Sequence, residues 1–345
     1  MRQSARAILA AAALLLPFAA TACGNDEISA PPGADEGTIT ANSSAGWAYA
    51  SLADSAIVTP ADPATSTDWD IAFNATKVML NGGAAGPAGV SAYCICQNAA
   101  ATDAQVIAMT PESELADFDA VEAAAIPPAG LFVADTLLPA FKGWYTGTGA
   151  AATVAAGKTF LLRLNDDTSF AKVRVISLAG PSAANAGTVR IEYAVQVNGA
   201  AAFGAVDTID LPAAGPTLVD LNAGAVVTSG TAWDLKVSGW EILTNSGVSG
   251  SGKVGVYADT TAFADVTTAV LPAQAYGSDA FGGLFAGSPW YRYNIDPSAP
   301  NHIHPTFNVY LVKRGTVVYK VQLINYYGPA GETRRITFRF ARLTA

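Results

Sequence analysis

The chain has 345 residues, 51% of them hydrophobic and only 14% charged, which is the balance of a protein with substantial buried cores rather than a disordered one. Its formal charge is −9 with no basic run to offset it, so its surface repels nucleic acid and anionic lipid headgroups.

Arg2 and Arg6 precede an apolar run, Ala7 to Ala20, that is too short for a comfortable membrane span. The run ends in Ala20-Thr21-Ala22-Cys23, small residues directly before a cysteine. The pattern is similar to a bacterial lipobox, which makes residues 1–22 a lipoprotein signal peptide and Cys23 the acylated first residue. An ordinary secretory signal cleaved nearby is the alternative, and both readings export the protein. Loss of Arg2 and Arg6 takes the formal charge from −9 to −11. Residues 23–37, polar with Pro31-Pro32 and four acids, read as a flexible tether. No later stretch has membrane-spanning length, so anchoring rests on lipid alone. The chain beyond the signal is long enough for two domains.

Short strands are expected from Gly46 to Thr59, followed by a Trp69-Asp70-Ile71 strand and an Asn81-Gly82-Gly83 turn, since Asn and Gly tolerate positive φ. Tyr93-Cys94-Ile95-Cys96 comes next. Residues two apart on a strand lie at the upper edge of disulfide reach, so a Cys94–Cys96 bridge needs a local kink. Buried thiols and, more distantly, metal ligands are the other readings. Thr110 as N-cap with Pro111 behind it predicts a helix running towards Ala125, stopped by Pro127-Pro128. Alternating apolar and charged residues at 171–176 and 189–195 predict half-buried antiparallel strands, with a turn at Asn165-Asp166-Asp167 and a longer connection at Gly180-Pro181.

From Thr217 the landmarks recur. Trp233-Asp234-Leu235, Asn245-Ser246-Gly247 and Tyr257 repeat the first set with the same twelve-residue intervals. Trp290-Tyr291 answers to Trp144-Tyr145, Phe307 to Phe160, Lys320 to Lys172 and Phe340 to Tyr193. A fixed order of landmarks implies duplication. The expected fold is all-β, mostly antiparallel and sandwich-like, with very little helix. Two tandem similar domains are expected, 38–202 and 203–345, jointed near Asn198 to Pro216.

The string Asp68-Trp69-Asp70-Ile71-Ala72-Phe73, the Asn81-Gly82-Gly83 turn, and Tyr310 to Tyr327 with Arg335-Ile336-Thr337-Phe338-Arg339-Phe340 resemble the HmuY-like family of bacterial envelope lipoproteins. The resemblance implies a lipid-tethered protein, usually at the outer membrane and cell surface. It also implies haem as the leading ligand, since the best-known type binds haem through two histidines supplied by different parts of one domain.

This chain has two histidines, His302 and His304, both in the second set. On a strand they project to one side, too close together to clamp a haem between them. One of them could ligate alone, with Tyr291, Tyr293 or Tyr310 nearby; in the first set Met79 and Met109 are the only thioethers, and Tyr93 and Tyr145 the obvious phenols. His302 and His304 with Tyr291 and Tyr293 are therefore the candidate haem contacts. A loop feeding a strand is the plainer account of the two histidines, and two imidazoles alone make at most half a zinc site. The acidic run Glu112, Glu114, Asp117, Asp119 and Glu122 reads as a solvated helix start, not a calcium loop. Asp70 and Asp234 read as holding a strand end or turn, and Lys172 and Lys320 as covering sheet surface with their stems. No Ser-His-Asp set, phosphate loop or His-Glu-x-x-His motif is present, so an enzyme is not expected. Two readings remain: a lipid-anchored binding protein with haem as leading ligand, and a cofactor-free β module serving interaction or structure in the envelope.

Overall fold

The computed structural model describes residues 27–28, 35–180 and 187–343. The expected signal peptide, Cys23 and most of the tether lie outside the described residues. The described chain is built of antiparallel strands with only short helices and 3-10 turns, in agreement with the all-β reading.

Two large hydrophobic cores form, and neither respects a boundary at 202/203. One gathers buried residues between Ile39 and Cys94 together with others between Phe285 and Phe340. The second lies wholly between Phe141 and Val256. The first core belongs to an outer unit made from the two ends of the chain. Its larger sheet runs in the order 27–28, 36–42, 335–343, 317–325, 309–314, 91–94. Glu36–Asn42 pairs with Arg335–Leu343, and Ser91–Cys94 with Val309–Arg314, so strands more than two hundred residues apart share hydrogen bonds. The smaller sheet, 56–58, 48–51, 71–74, 77–80, packs on it; Phe73 meets Phe338 with ring centroids 5.2 Å apart.

The inner unit repeats this plan within one continuous segment. Its sheets run 207–212, 188–196, 170–179, 159–163, 255–259 and 225–227, 217–220, 235–238, 241–244. The region expected as the joint between tandem domains is instead the edge strand Asp207–Pro212, where Leu211 is buried against the core that Val189 and Ile191 also fill. An unpaired 188–196 strand would leave both its backbone donors and these apolar side chains uncovered. The chain passes between units at Thr136–Leu138 and Ala280–Gly282, which pair with each other as a short ribbon.

The landmarks nonetheless fall on matching registers. Leu311 lies opposite both Tyr93 and Lys320 in the outer unit, and Leu161 opposite both Tyr257 and Lys172 in the inner one. Val321 faces Phe340 as Val173 faces Tyr193. One correspondence shifts: Phe160 faces Val173 and Tyr310 faces Val321, so Phe160 matches Tyr310 and not Phe307. Each unit thus draws one half from each landmark set.

The helix expected from Thr110 to Ala125 is shorter, Leu115–Asp119, followed by a 3-10 turn at Ala123–Ala125. Thr110 closes a turn instead, exchanging hydrogen bonds with Ser113. A further helix, Asp103–Ala108, was not expected; it starts from a capping box of Thr102 and Gln105. The segment lies on the outer face of the larger sheet, where Phe118 and Val121 pack against Val309, Leu311 and Val318. Val266 and Leu271 cover Leu161 in the inner unit in the same way. Lys172 and Lys320 are buried beneath these covers, not spread over an open surface. Lys320 Nζ donates to Phe118 O at 2.8 Å and lies over the Phe118 ring; Lys172 Nζ donates to Phe263 O at 2.8 Å and lies over the Phe263 ring. Each lysine pins a covering loop by its carbonyls, and burial lowers both ammonium pKa values.

Candidate functional site

The carboxylates beside the tryptophans are structural. Asp70 Oδ2 accepts from Leu52 N at 2.8 Å and Oδ1 from Arg314 Nη1 at 3.0 Å. Asp234 Oδ2 accepts from Leu221 N and Oδ1 from Asn165 N, both at 2.8 Å. Asn81 and Asn245 close the adjoining turns, donating to the carbonyls of Ser66 and Trp69, and of Thr231 and Trp233. Asp135 and Asp279 then fix the start of each crossover strand through Leu80 N and Thr244 N. Gly83 and Gly247 both have φ near +62°, and a Cβ on either would run into the carbonyl of the aspartate beside it. Burial pushes the Asp135 and Asp234 carboxyls up to about 6, their backbone donors only partly opposing it.

One hairpin differs between the units in length and in the side chains it carries. Trp144 O accepts from Ala155 N, and Trp290 O from Thr306 N, each at 2.8 Å, so the two hairpins start and close alike. The outer one, Tyr291–Tyr293 with Ile303–Pro305, is five residues longer between those points. The longer hairpin carries both histidines. His304 lies opposite Arg292, where the inner hairpin has Thr153 opposite Thr146.

His302 and His304 project to one side, with ring centroids 4.8 Å apart and planes inclined by 59°. Tyr327 stacks on His302 at 4.3 Å and 17°, and its Oη accepts from Ile303 N at 2.9 Å. Arg292 is turned to Asp103 Oδ1 at 2.7 Å and Ala101 O at 2.5 Å. His302 Nδ1 and His304 Nε2 are shielded from solvent and have no hydrogen-bond partner. Burial, and then the charge of His302, lower the His304 pKa below its ordinary 6.5, with the Asp296 carboxylate opposing.

The four residues expected to share a haem site divide between two faces. Strand alternation sends Tyr291 and Tyr293 to the side of Ile303, away from the histidines. Tyr291 packs edge-on against Trp290 at 5.4 Å, and Tyr293 is exposed with its hydroxyl on Asn301. Tyr310 is fully buried, its hydroxyl donating to Ser288 O. A cleft of about 240 Å³ borders Tyr291, Arg292, Asn98 and Asn308, and one of about 430 Å³ borders Tyr327, Glu332 and Arg335. Neither is lined by His302 or His304. Two axial imidazoles must meet iron from opposite faces of the porphyrin. Rings 4.8 Å apart, one of them already stacked on a tyrosine, leave no room for a macrocycle between them. The histidine pair does not fit a clamped haem. Among the described residues no group of three or more His, Cys, Asp or Glu is placed to hold a metal ion.

Cys94 and Cys96 are joined by a disulfide, with Cα atoms 5.0 Å apart. Cys96 takes φ +54°, which supplies the kink that a strand needs for such a short bridge.

Fold and site together describe a two-unit antiparallel β protein whose distinguishing feature is an extended, imidazole-bearing hairpin. Residues 43–193 match the family model described as HmuY protein, and over that stretch the chain is similar to that family. The match covers one landmark set and runs through the crossover at 136–138, so it takes in half of each unit. A crystal structure of a protein from Bacteroides fragilis NCTC 9343, described as a "putative lipoprotein", aligns at 12% identity over 89% of each chain, with a TM-score of 0.31. That score is too low to carry an argument. No curated protein matches the chain. Among the described residues no helix is long and apolar enough to cross a membrane.

Proposed function

We propose that this chain is a lipid-anchored binding protein of the bacterial cell envelope, of HmuY type, tethered through Cys23 and without enzymatic activity. The observation that carries the reading is the family match over residues 43–193, supported by the lipobox-like Ala20-Thr21-Ala22-Cys23. The outer membrane is the expected site of the tether. Haem is the ligand to test first because of the family, with one imidazole at most supplied by this hairpin.

The second reading, a cofactor-free module binding a protein partner in the envelope, is favoured by the side-by-side histidines and the splitting of Tyr291 and Tyr293 from them. One titration separates the two. Hemin is added to the chain from residue 24 onward, in both redox states, and the Soret band is followed. A saturable shift at one equivalent, weakened by His304→Ala or His302→Ala, supports haem binding; an unshifted band in both states leaves the cofactor-free module. The tether is tested by fatty-acid labelling of the full chain, which Cys23→Ser abolishes.

A further inference from the structure

We propose that the outer hairpin is a binding site for a divalent transition-metal ion of the copper or zinc class, with His302 and His304 as its two protein ligands. The proposal is independent of haem and of the family match.

Three observations converge on it. The first is the pair of orphan nitrogens. His302 Nδ1 and His304 Nε2 are both withdrawn from solvent without a hydrogen-bond partner. A buried polar atom left unpaired is costly, so two of them on neighbouring imidazoles point to a missing partner. A cation between two imidazoles satisfies both at once. Imidazole nitrogen suits copper, zinc and nickel, and copper(II) binds such donors most tightly of the divalent series.

The second is the packing that fixes both rings. Residues two apart on a strand share a face, and here that places the ring centroids 4.8 Å apart. His302 is held by the stacked Tyr327, whose hydroxyl also takes the Ile303 amide. The cross-strand neighbour of His304, Arg292, would repel a cation, but Asp103 and the Ala101 carbonyl hold its guanidinium. Asp296, at the hairpin tip, places a negative charge within electrostatic reach of His304. Two protein ligands are fewer than the four of a closed structural site, which suits an exchangeable ion.

The third is the comparison within the molecule. The inner hairpin begins and closes with the same hydrogen bonds and the same Trp-Tyr pair, yet is five residues shorter and has threonines at the two positions occupied by Arg292 and His304. The fold therefore does not require the imidazoles, and a specialised role for them belongs to the longer hairpin.

The test is titration of the untagged chain, from residue 24 onward, with copper(II) chloride and separately with zinc chloride at pH 7.5, without hemin. Expected are one equivalent of bound metal with micromolar affinity, and nitrogen hyperfine structure from two imidazoles in the copper electron paramagnetic resonance spectrum. His302→Ala and His304→Ala should each weaken binding at least tenfold and reduce the nitrogen coupling, with the unfolding temperature of each apo variant checked against the parent. Absence of binding below millimolar metal overturns the proposal. So does binding that both variants retain undiminished, since the site then lies elsewhere.

Discussion

The outer and inner units use the same buried anchors, Asp70 and Asp234, Asn81 and Asn245, Asp135 and Asp279, Lys320 and Lys172, in matching hydrogen bonds. They differ in continuity. The inner unit is one segment; the outer is assembled from two that lie on either side of it. Equivalent chemistry thus sits in units whose formation makes very different demands on the chain. Closing the outer sheet requires contacts across more than two hundred residues, a loop-closure cost that the inner unit, folded first, would reduce.

The largest effect expected from this difference is on fragments. Residues 139–278 expressed alone should give a cooperative thermal transition, because they hold both inner sheets and their whole core. Residues 38–202 and 203–345, expressed separately, should each lack one, because each would hold only part of either core. Circular dichroism during heating is the measurement. A cooperative transition in 38–202 alone would sink the crossed arrangement.

Next in size are the paired tryptophans. Trp69 is fully buried and donates to Pro63 O; Trp233 keeps a small exposed edge under Lys236. Replacing either by Ala should cost about 3–5 kcal/mol, with Trp69→Ala the more severe. In a denaturant series followed by residue-resolved amide exchange, Trp69→Ala should lower protection of the 48–80 strands first, where Trp69 packs with Tyr49, Ala72 and Met79, and Trp233→Ala that of the 217–244 strands, where it meets Lys236 and Asn245. Equal loss everywhere would show the two cores to be one cooperative body.

Smaller again is a pH effect. Asp135 in the outer unit and Asp234 in the inner one have folded pKa values of about 6 against an ordinary value of 3.8. A carboxyl raised on folding favours the folded state while it is protonated. The contribution is complete below the ordinary value and is lost as pH rises through about 6. Asp135→Asn and Asp234→Asn keep an acceptor for the Leu80 and Leu221 amides and remove the titration. Each variant should therefore gain stability relative to the parent as pH goes from about 4 to about 7, the first in outer-unit unfolding and the second in inner-unit unfolding. A constant difference across that range would rule out titration of these carboxyls.

Much of this was legible from residues. Trp-Asp strands, Asn turns and period-two patterns mark half-buried strands because local spacing dictates them, and the twelve-residue intervals fix equivalent registers in both units. Strand partners are another matter. Ser91–Cys94 pairs as well with Val309–Arg314 as Gly255–Asp259 does with Thr159–Arg163, and nothing in either alternation says from which landmark set the partner comes. The crossing is decided by the ribbon at 136–138 and 280–282, whose residues carry no strong strand signature. The two lysines misled for a related reason: a Lys in an alternating strand reads as solvated until a remote loop, at 115–121 or 263–271, is folded over it. At the hairpin, the shared face of His302 and His304 followed from their spacing, whereas the opposite face of Tyr291 and Tyr293 needed the register with Ile303.

The smallest expected effect lies where the units exchange charge for burial. Arg174 and Glu192 face each other in the inner sheet, and Gln322 and Arg339 occupy the same register in the outer one. Arg174 and Glu192 form a 2.6 Å ion pair with the arginine largely in solvent. Such pairs contribute about 0.2–1 kcal/mol, so Glu192→Gln should shift stability by about 0.5 kcal/mol and less in high salt. Gln322 is fully buried, donates to Phe307 O and accepts from Arg339 Nε, whose Nη1 reaches Pro111 O. Removing it strands a buried guanidinium that already has one unpaired nitrogen. Gln322→Ala should accordingly cost about 2–3 kcal/mol, independent of salt. The two variants, measured in the same denaturant series at low and high ionic strength, ask whether one register position has changed its role between the units. Equal losses with equal salt dependence would mean that the substitution of Gln and Arg for Arg and Glu left the energetics unchanged, and that burial at this position matters less than the hydrogen bonds around it suggest.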